Sequence, residues 1–456
     1  MRLRTRLAVL VCKASGAVLR RLGRGGTNLP GKLALKIDKN ILGELSRGVK
    51  VTVVTGTNGK TTTSRMIEQA FADAGLRYFS NKSGANLLTG IIAVFAQHST
   101  LSGKCPYTHA LIECDEAAFR RTSEYLPVEC LVVNNIFRDQ LDRYGEITHT
   151  LNAIREGITH VPNATLCLNA DCSLTASLAE DGIPNPIIRF GVNVPIYSET
   201  AHELSDAVYC IHCKTQYEYD YRTYGHLGGF RCPKCGYHRI APEVAVTQVI
   251  STGADASDIV LDIFGHAHEV HVNLPGGYNI YNAAGAVAAV TQMGLSADDA
   301  VKALAGFKCG FGRMEQFKLG GGAKMMLVKN PAGCNQVVEF LQNIKEKFVL
   351  VVCLNDRGAD GTDISWVWDV DFEALSGIAG RIDRIIVSGD RAPDMAVRIK
   401  YAGIAPEHIE IERDYEKLVS GLEKQSLPVF IMPTYTAMFD LRGEIGKHTD
   451  VKAFYE

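Results

Sequence analysis

Residues 51–63 read Val-Thr-Val-Val-Thr-Gly-Thr-Asn-Gly-Lys-Thr-Thr-Thr, a β-branched run followed by a glycine-flanked turn, a lysine and three hydroxyl residues. This order predicts a strand, a phosphate-binding loop and the first turn of a helix, where backbone N–H groups and the helix dipole favour an anion. Lys60 is expected to reach the β- and γ-phosphates, and Thr61 is expected to ligate Mg²⁺. The stretch therefore predicts a nucleoside triphosphate site built from Gly56, Thr57, Asn58, Gly59, Lys60, Thr61 and Thr62.

The loop departs from a Walker A sequence, which would have glycine where Val54 stands. A regulatory GTPase is poorly supported, because the segment Asn81-Lys82-Ser83-Gly84 does not form the base-reading Asn-Lys-x-Asp, although residues 142–145 match a short Asp-x-x-Gly. An ATP-dependent enzyme is favoured.

The composition is that of a globular protein. The chain has 456 residues, too many for one core, and two or three domains are expected. A formal net charge of −2 gives no general reason to expect nucleic acid as a partner. The 13 cysteines are an odd number and many lie in apolar contexts, so they are interpreted as reduced thiols and a cytoplasmic location is expected.

The N-terminal segment is basic and has no acidic residue before Asp38. Its apolar residues Leu3, Leu7 and Leu10 recur at helical spacing. Two interpretations stay open: a helix packed on the body of the protein, or one that contacts an anionic membrane surface or a lipid-linked substrate.

The order of β and α patterns predicts an α/β fold with a parallel sheet covered on both faces. We expect a basic N-terminal helical segment at 1–45, an ATP-binding domain at 46–316 with an insertion at 205–242, and a C-terminal Rossmann-like α/β domain at 317–456. The candidate strands are Val51–Thr55, His109–Glu113, Cys130–Val133, Thr165–Leu168, Phe348–Leu354, Arg384–Val387 and Val429–Met432, and Asn282–Met293 is a candidate helix.

Two C-x-x-C pairs lie within the insertion, 18 residues apart. Each pair can present two thiolates to one ion, and the two pairs together complete a tetrahedral site of four sulfurs. A closed set of four thiolates favours a structural Zn²⁺ over a catalytic one, and a zinc ribbon is predicted. Two disulfides or an iron–sulfur cluster are the alternatives. The ligands are Cys210, Cys213, Cys232 and Cys235.

Glu113 directly ends the second candidate strand. Carboxylates at the carboxyl edge of a parallel sheet face the crevice where ligands bind, so Glu113 is a candidate Mg²⁺ ligand. Asp115 and Glu116 follow, and these acids either join the site or begin a helix.

Several motifs together resemble the Mur ligase family, the ATP-dependent ligases of peptidoglycan precursor synthesis. The resemblance implies that Asn279 contacts adenine, that Glu113 binds Mg²⁺, and that Arg313 joins the nucleotide site at the junction with the C-terminal domain. The motifs that carry it are residues 55–61, Glu113, Asn135 with Asp139-Gln140-Leu141-Asp142 and Gly145, residues 168–171, residues 274–283 and Gly312-Arg313-Met314-Glu315.

The chain also departs from that family. Gln140 stands where a histidine usually helps to hold a second Mg²⁺, so a second metal ion is in doubt. No lysine occurs between Lys104 and Lys214, which excludes the carbamoylated lysine of several members. The segment 328–333 reads Val-Lys-Asn-Pro-Ala-Gly in place of an Asp-x-x-His-x-Pro-type segment, so an amino acid is not necessarily the second substrate.

The chain is similar over nearly its whole length to the MurT family, the synthetase subunits of lipid II isoglutaminyl synthase. The similarity rests on residues 354–369, residues 329–333, the cysteine quartet and residues 433–436. It implies a GatD-type glutamine amidotransferase as partner, which supplies ammonia for amidation of the α-carboxylate of D-glutamate in lipid II. It also implies that an aspartate of this chain completes the partner's Cys-His pair, and Asp363 is chosen over Asp356 and Asp360.

The residues independently permit that chemistry, because ATP can activate a carboxylate as an acyl phosphate for attack by ammonia. No cysteine lies in the Gly-x-Cys-x-Gly pattern of such glutaminases, so the thiol must come from the partner. Two rival functions remain: a stand-alone ligase that joins an amino acid to a carboxylate, and a zinc-ribbon ATP-binding module.

Overall fold

The computed structural model describes residues 2–21, 28–81, 85–138, 147–180, 182–196, 206–253, 255–307 and 313–449. Three helices come first, and from Lys50 onward strands and helices alternate along much of the chain. The strands before residue 300 are β1 (Lys50–Thr55), β2 (Tyr78–Ser80), β3 (His109–Glu113), β4 (Val128–Val133), β5 (Thr165–Asn169), β6 (Ile187–Val192), β7 (Glu218–Tyr224), β8 (Leu227–Arg231), β9 (Val244–Thr252), β10 (Ser257–Ile263) and β11 (His266–Val272).

Nine of these strands form one sheet in the order β11-β10-β9-β6-β5-β4-β1-β3-β2. The part from β2 to β9 is parallel, whereas β9, β10 and β11 pair antiparallel at one edge. The α-helices described before residue 307 are α1 (Leu3–Arg21), α2 (Asn28–Ile37), α3 (Ile41–Leu45), α4 (Lys60–Asp73), α5 (Leu88–His98), α6 (Glu116–Thr122), α7 (Ile147–Thr159), α8 (Ser173–Ala176), α9 (Gly277–Gln292) and α10 (Ala297–Gly306).

A second sheet follows in the order β12-β13-β17-β14-β15-β16, with only the β12–β13 pair antiparallel. Its strands are β12 (Arg313–Phe317), β13 (Ala323–Met326), β14 (Phe348–Cys353), β15 (Ile382–Ser388), β16 (Ile409–Ile411) and β17 (Val429–Pro433). Its helices are α11 (Pro331–Gln342), α12 (Ala392–Tyr401), α13 (Tyr415–Glu423) and α14 (Tyr435–Ile445).

The central strands are largely buried because helices cover both faces of each sheet. All six residues of β14 are buried, and β1 is buried from Val51 onward. Since β1, β3 and β4 run parallel, their carboxyl ends meet at one edge. That edge places the turn after β1 beside Glu113 and the residues after Val133.

The structure confirms the predicted α/β class and each candidate strand to within two residues at either end. The sequence predicts a parallel sheet, and the structure differs at one edge, where β9, β10 and β11 pair antiparallel. The two sheets have separate apolar cores, which supports a division near residue 316, but the predicted domain limits of 1–45, 46–316 and 317–456 stay a prediction.

The N-terminal segment folds as α1, α2 and α3, which pack on α5 beside the large sheet. Ala8, Val9 and Cys12 of α1 are buried in that contact, as the first interpretation of this segment required. Across the described ranges, no helix combines the length and the apolar composition that crossing a bilayer requires.

Candidate active site

The loop between β1 and α4 is held against the end of β4. The backbone N–H of Asn58 donates to Asn135 Oδ1 at 2.9 Å, and the N–H of Thr57 donates to Asn135 O at 3.0 Å. The Thr57 hydroxyl donates to Phe137 O at 3.1 Å. These bonds fix the loop, so its remaining N–H groups are oriented before a phosphate arrives.

Gly59 is required by two features of this loop. Its φ of +84° lies in the left-handed region, where a side chain is strained. In addition, a Cβ atom at this position would lie 2.0 Å from Asn282 Oδ1, on α9. Loop and helix therefore approach as closely as a glycine permits.

Replacement of Gly59 by alanine should weaken ATP binding at least about tenfold, because strain of about 1–2 kcal/mol adds to the clash with Asn282. Titration with a fluorescent ATP analogue measures the effect. Gly75→Ala is the matched control, because Gly75 has a φ of +66° but nothing within 4 Å of the added Cβ. Equal affinity losses in both variants would contradict the argument from the clash.

Lys60 begins α4 and is almost completely buried. Its Nζ donates to Glu116 Oε1 at 2.9 Å and to Gly56 O at 2.5 Å. Burial alone would lower the pKa of Lys60, but the carboxylates of Glu116 and Glu113 outweigh it and raise the pKa above the usual value. The loop therefore carries a fixed positive charge beside the backbone that would surround phosphate.

Thr61 and Glu113 meet at the carboxyl edge of the sheet. The Thr61 hydroxyl donates to Glu113 Oε2 at 2.9 Å. The backbone of Glu113 is held by Asn81, whose amide both donates to Glu113 O at 2.7 Å and accepts from Glu113 N at 2.8 Å. A hydroxyl and a carboxylate oxygen side by side form the hard donor set that Mg²⁺ prefers.

The acids after Glu113 have separate roles. Asp115 is the N-cap of α6 and accepts from the N–H groups of Ala117 and Ala118 at 3.1 and 3.2 Å. Glu116 instead turns back toward the loop as the ion-pair partner of Lys60. The sequence left both roles open, and the structure separates them.

One cleft opens beside the loop, between the large sheet and the second one. Asn279 lies on its α9 side, where its amide donates to Pro275 O at 2.7 Å and accepts from Asn282 at 3.0 Å. Thr62 also lines the cleft, and residues of α11 and the segment before it form the opposite wall. The lining includes Asn58, Gly59, Thr62, Asn135, Tyr278, Asn279, Lys329, Gly333 and Gln336.

Polar contacts also connect the part of the chain that carries the loop with the part that carries the second sheet. Asn330 donates from its amide to Asn58 Oδ1 at 3.1 Å, and Arg138 forms an ion pair with Asp369. The backbone N–H of Arg138 donates to Asp206 Oδ2 at 2.8 Å, and this bond holds Arg138 in place. The sequence did not indicate these closing contacts.

Some predicted residues cannot be located. Asp139, Gln140, Leu141, Asp142, Gly145 and Gly312 lie outside the described residues, as do Lys82, Ser83 and Gly84. Arg313 begins β12, but its side chain is also outside the description.

Three aspartates of the segment after β14 differ in their surroundings. Asp356 forms an ion pair with Arg391 at 2.8 Å. Asp360 is buried and accepts from the N–H and the hydroxyl of Thr436 at 2.7 and 2.5 Å. Asp363 is exposed and accepts from Ser365 N at 2.8 Å, and hydrogen bonds from Ser365 lower the pKa of Asp363 below its usual value.

The two tryptophans that follow Asp363 also differ. Trp366 packs against the core of the second sheet, whereas Trp368 is 52% exposed. Trp368 lies edge-on to Tyr401, with ring centroids 6.0 Å apart, and Tyr401 is 72% exposed. An exposed carboxylate and an exposed tryptophan thus lie within one short segment, and Tyr401 of α12 packs against that tryptophan.

The four cysteines of the insertion converge on one point. Their sulfur atoms all lie within 4.8 Å of one another, with Cys210 and Cys235 3.5 Å apart and Cys213 and Cys232 3.4 Å apart. This is a candidate metal centre, and four mutually close sulfurs suit the tetrahedral site of four thiolates that Zn²⁺ forms.

The two halves of this centre are alike in their backbone. Lys214 and Gly236 each follow the second cysteine of a pair, and they have φ values of +60° and +77°. Their N–H groups donate back to Cys210 O at 3.0 Å and Cys232 O at 3.1 Å. The C-x-x-C spacing predicts the convergence of the sulfur atoms, and the structure adds that a lysine and a glycine occupy the two left-handed positions.

The cysteine insertion is tied to the large sheet through a buried aspartate. Asp171 accepts from Arg239 Nε at 2.6 Å, from the Tyr281 hydroxyl at 2.6 Å and from Val192 N at 2.9 Å. Arg239 lies just past the second cysteine pair and Tyr281 lies on α9. The insertion is therefore fixed against the carboxyl end of β5 and against α9.

The chain has clear relatives among known proteins. Two family models match: "Mur ligase middle domain" over residues 54–226 and "MurT ligase C-terminal" over residues 327–438. The lipid II isoglutaminyl synthase (glutamine-hydrolyzing) subunit MurT of Streptococcus pneumoniae (strain ATCC BAA-255 / R6) is 36% identical over 445 residues, which cover 97% of each chain. The subunit of the same name from Staphylococcus aureus (strain COL) is 33% identical over 446 residues and again covers 97% of each.

Solved structures share the fold. MurF from Acinetobacter baumannii superposes with a TM-score of 0.66 at 16% identity, over 91% of this chain and 80% of that one. The two-sheet architecture and the cleft beside the loop after β1 thus define the fold class: the α/β architecture of the Mur ligases, a family that uses ATP with Mg²⁺.

Within that class the assignment is more specific. The chain belongs to the MurT family, the ligase subunits of the glutamine-hydrolysing lipid II isoglutaminyl synthase. A chain of this family is one subunit of a two-component enzyme, which implies a partner.

Proposed function

We propose that this chain is the ATP-dependent half of a glutamine amidotransferase that acts on lipid II and converts the α-carboxylate of its D-glutamate to the amide, giving D-isoglutamine. The observation that carries this proposal is the convergence of Lys60, Thr61 and Glu113 on one loop at the edge of the sheet. That arrangement suits the transfer of a phosphoryl group to an oxygen nucleophile.

The reaction needs two steps. In the first, a carboxylate oxygen attacks the γ-phosphorus of ATP, the bond to the β-γ bridging oxygen breaks, and ADP leaves. In the second, ammonia attacks the carbonyl carbon of the acyl phosphate, the C–O bond to phosphate breaks, and a proton is lost. Lys60 would stabilise the charge on the transferring group, because it is held charged beside the loop.

Each of the predicted site residues has a proposed ligand. Thr61 and Glu113 would hold Mg²⁺, which would neutralise charge on the phosphates. The loop from Gly56 to Thr62 would surround the phosphates, and Asn279 would contact adenine from the α9 wall. Arg313 would join the nucleotide site where the second sheet begins.

Ammonia must come from a second protein. A glutaminase needs an accessible thiol of low pKa. In the described part of the chain, the cysteines outside the quartet are buried, except for the half-buried Cys105, and burial raises the pKa of the Cys105 thiol. We therefore infer a GatD-type partner that carries the nucleophile.

Asp363 is the aspartate best placed to complete the partner's Cys-His pair. It is exposed and ionised, whereas Asp356 is paired with Arg391 and Asp360 is buried against Thr436. Trp368, which lies in the same segment, and Tyr401, which packs against it, are both exposed and offer the aromatic area that is typical of interface anchors.

The test is amidation by purified protein. With MgATP, a soluble muropeptide that contains D-glutamate and ammonium, this chain alone should release ADP and form an amide, detected by mass. With glutamine in place of ammonium, product should require the partner. No amidation with ammonium at any muropeptide concentration would overturn the assignment of the synthetase site.

The same assay separates the two rivals. ADP release that depends on an added amino acid instead of ammonia would indicate a stand-alone ligase. Salt-sensitive retention on nucleic acid, with no product formed from any carboxylate, would indicate a binding module. The family assignment favours neither of these two rival functions.

We also propose that the cysteine quartet binds Zn²⁺ and has a structural role. Four sulfur ligands leave no open position for a substrate. The nearby histidines have other partners. His212 Nε2 lies 3.2 Å from Glu180 Oε2, and His238 Nδ1 lies 2.7 Å from Gly236 O.

Cys232→Ser should lower zinc affinity at least about 100-fold, since removal of outer partners alone costs about 10–100-fold. Soluble yield should fall with metal content, because ligand binding contributes to folding. Turnover per folded molecule should change little. Metal analysis and thermal unfolding check this, with Cys105→Ser as the control outside the quartet. Stoichiometric zinc and normal folding in Cys232→Ser would rule the site out.

The proposed location is the cytoplasm, at the inner surface of the membrane where lipid II is made available. Free thiols support a reducing compartment, since none of the described cysteines is in a disulfide.

A further inference from the structure

Helix α1 exposes an apolar stripe. Its inner face is buried through Ala8, Val9 and Cys12, and its outer face carries four large apolar side chains at helical spacing. Their exposed fractions are high, at 83% for Leu3, 52% for Leu7, 50% for Leu10 and 56% for Val18. Among the described residues, nothing packs over this stripe along the 19-residue helix.

The stripe is bordered by positive charge. Arg6 and Arg20 are exposed on one side of the stripe at helical spacing, and Arg4 lies on the other side, where it donates to Ile37 O. Residues 1–37 contain nine lysines and arginines and no acidic residue, although the whole chain has a formal net charge of −2. The positive charge is thus concentrated on this segment.

The helix is firmly attached to the protein. The Thr5 hydroxyl donates to Asp38 Oδ2 at 2.5 Å, and Lys13 Nζ donates to Gln97 O at 3.1 Å at the end of α5. Contact between α1 and any surface would therefore orient the large sheet and its cleft relative to that surface.

We propose that α1 is an in-plane docking helix that holds this protein on an anionic lipid bilayer. Leu3, Leu7, Leu10 and Val18 would enter the boundary between headgroups and acyl chains, and the bordering arginines would contact anionic headgroups. An apolar stripe framed by cationic side chains is complementary to that interface, whereas a protein partner would have to supply matching acidic groups on both sides. The docking stands on α1 itself and rests on the proposed function only for its purpose, which is access to a lipid-linked substrate.

The test is sedimentation of the full chain with vesicles. Wild-type protein should bind vesicles of phosphatidylglycerol and phosphatidylcholine at least about tenfold more tightly than vesicles of phosphatidylcholine alone, and binding should weaken as salt rises. The double variant Leu7→Gln/Leu10→Gln should lose at least about tenfold in vesicle affinity. The matched control is Ile250→Gln/Ile411→Gln, which alters two side chains that are 51% and 50% exposed elsewhere on the surface.

Activity on two substrates separates this proposal from the proposed function. The α1 variant should amidate a soluble muropeptide with ammonium as fast as wild type, but should be slower on lipid II in anionic vesicles. Vesicle binding that is unchanged in the variant, or wild-type binding that is equal on both lipids, would overturn the docking proposal. Loss of partner binding in the variant, with vesicle binding intact, would identify the stripe as a protein interface instead. Failure with the soluble muropeptide in wild type would count against the proposed function and leave the vesicle result standing.

Discussion

Lys60→Ala should reduce ADP formation by at least about 10²–10³-fold with either ammonium or glutamine as the nitrogen source, since one preorganised charge-stabilising donor has about that effect on a transition state. The effect should be large because the Lys60 ammonium is fixed by Glu116 and Gly56 O before substrate binds. Steady-state kinetics with a soluble muropeptide measures it.

Loss of folding must be separated from loss of catalysis in this variant. Removal of Lys60 leaves Glu116 buried without its partner, and breaking a buried pair in this way costs about 3–5 kcal/mol. The double variant Lys60→Ala/Glu116→Gln removes that charge and should recover thermal stability without recovering turnover. Lys302→Ala, at an exposed position on α10, is the neutral control. Turnover within tenfold of wild type in a folded Lys60 variant would contradict the assigned role.

Asp363→Asn should abolish turnover driven by glutamine, by about 10³–10⁴-fold, and leave turnover driven by ammonium within about twofold. The substitution keeps the size of the side chain and an oxygen that can accept from Ser365 N, so the loop should keep its shape. What is lost is the negative charge that would orient and stabilise the partner's imidazole. The assay uses the assembled two-subunit enzyme with each nitrogen source in turn.

Asp356→Asn is the matched control for that experiment. Its ion pair with Arg391 is partly exposed, and such pairs contribute about 0–1 kcal/mol to stability. This variant should keep both activities. Equal loss of both activities in Asp363→Asn would show that Asp363 acts in the synthetase reaction or in folding. Selective loss in Asp356→Asn would transfer the role to that residue.

Local patterns accounted for much of the fold. The β-branched run before Gly56 predicted β1. The apolar segments that end in Glu113 and Val133 predicted β3 and β4, the two strands that pair with β1, because buried parallel strands have continuous apolar sequences. The cysteine spacing predicted the convergence of four sulfurs for a similar reason: two tight turns need only short-range sequence.

Contacts between distant segments could not be read in the same way. Glu116 was ambiguous because the N-terminal turn of a helix favours acids whether or not they reach a ligand site. Asn330 contacts Asn58 across 272 positions in the chain, and no local pattern indicates that the two would meet. The antiparallel edge was also missed, although β10 alternates buried and half-buried residues as a strand with one covered face does.

The ion pair between Arg138 and Asp369 connects the part of the chain that carries the loop after β1 with the segment that carries Asp363. Arg138 follows β4, whose end holds the loop between β1 and α4. Asp369 is the last residue of the short 3₁₀ segment that begins at Ser365, two residues after Asp363. A movement that separates this pair would carry the Asp363 segment away from the loop after β1 together with the second sheet. In the proposed two-subunit enzyme, the position of Asp363 relative to the ATP site would therefore depend on whether this ion pair is formed.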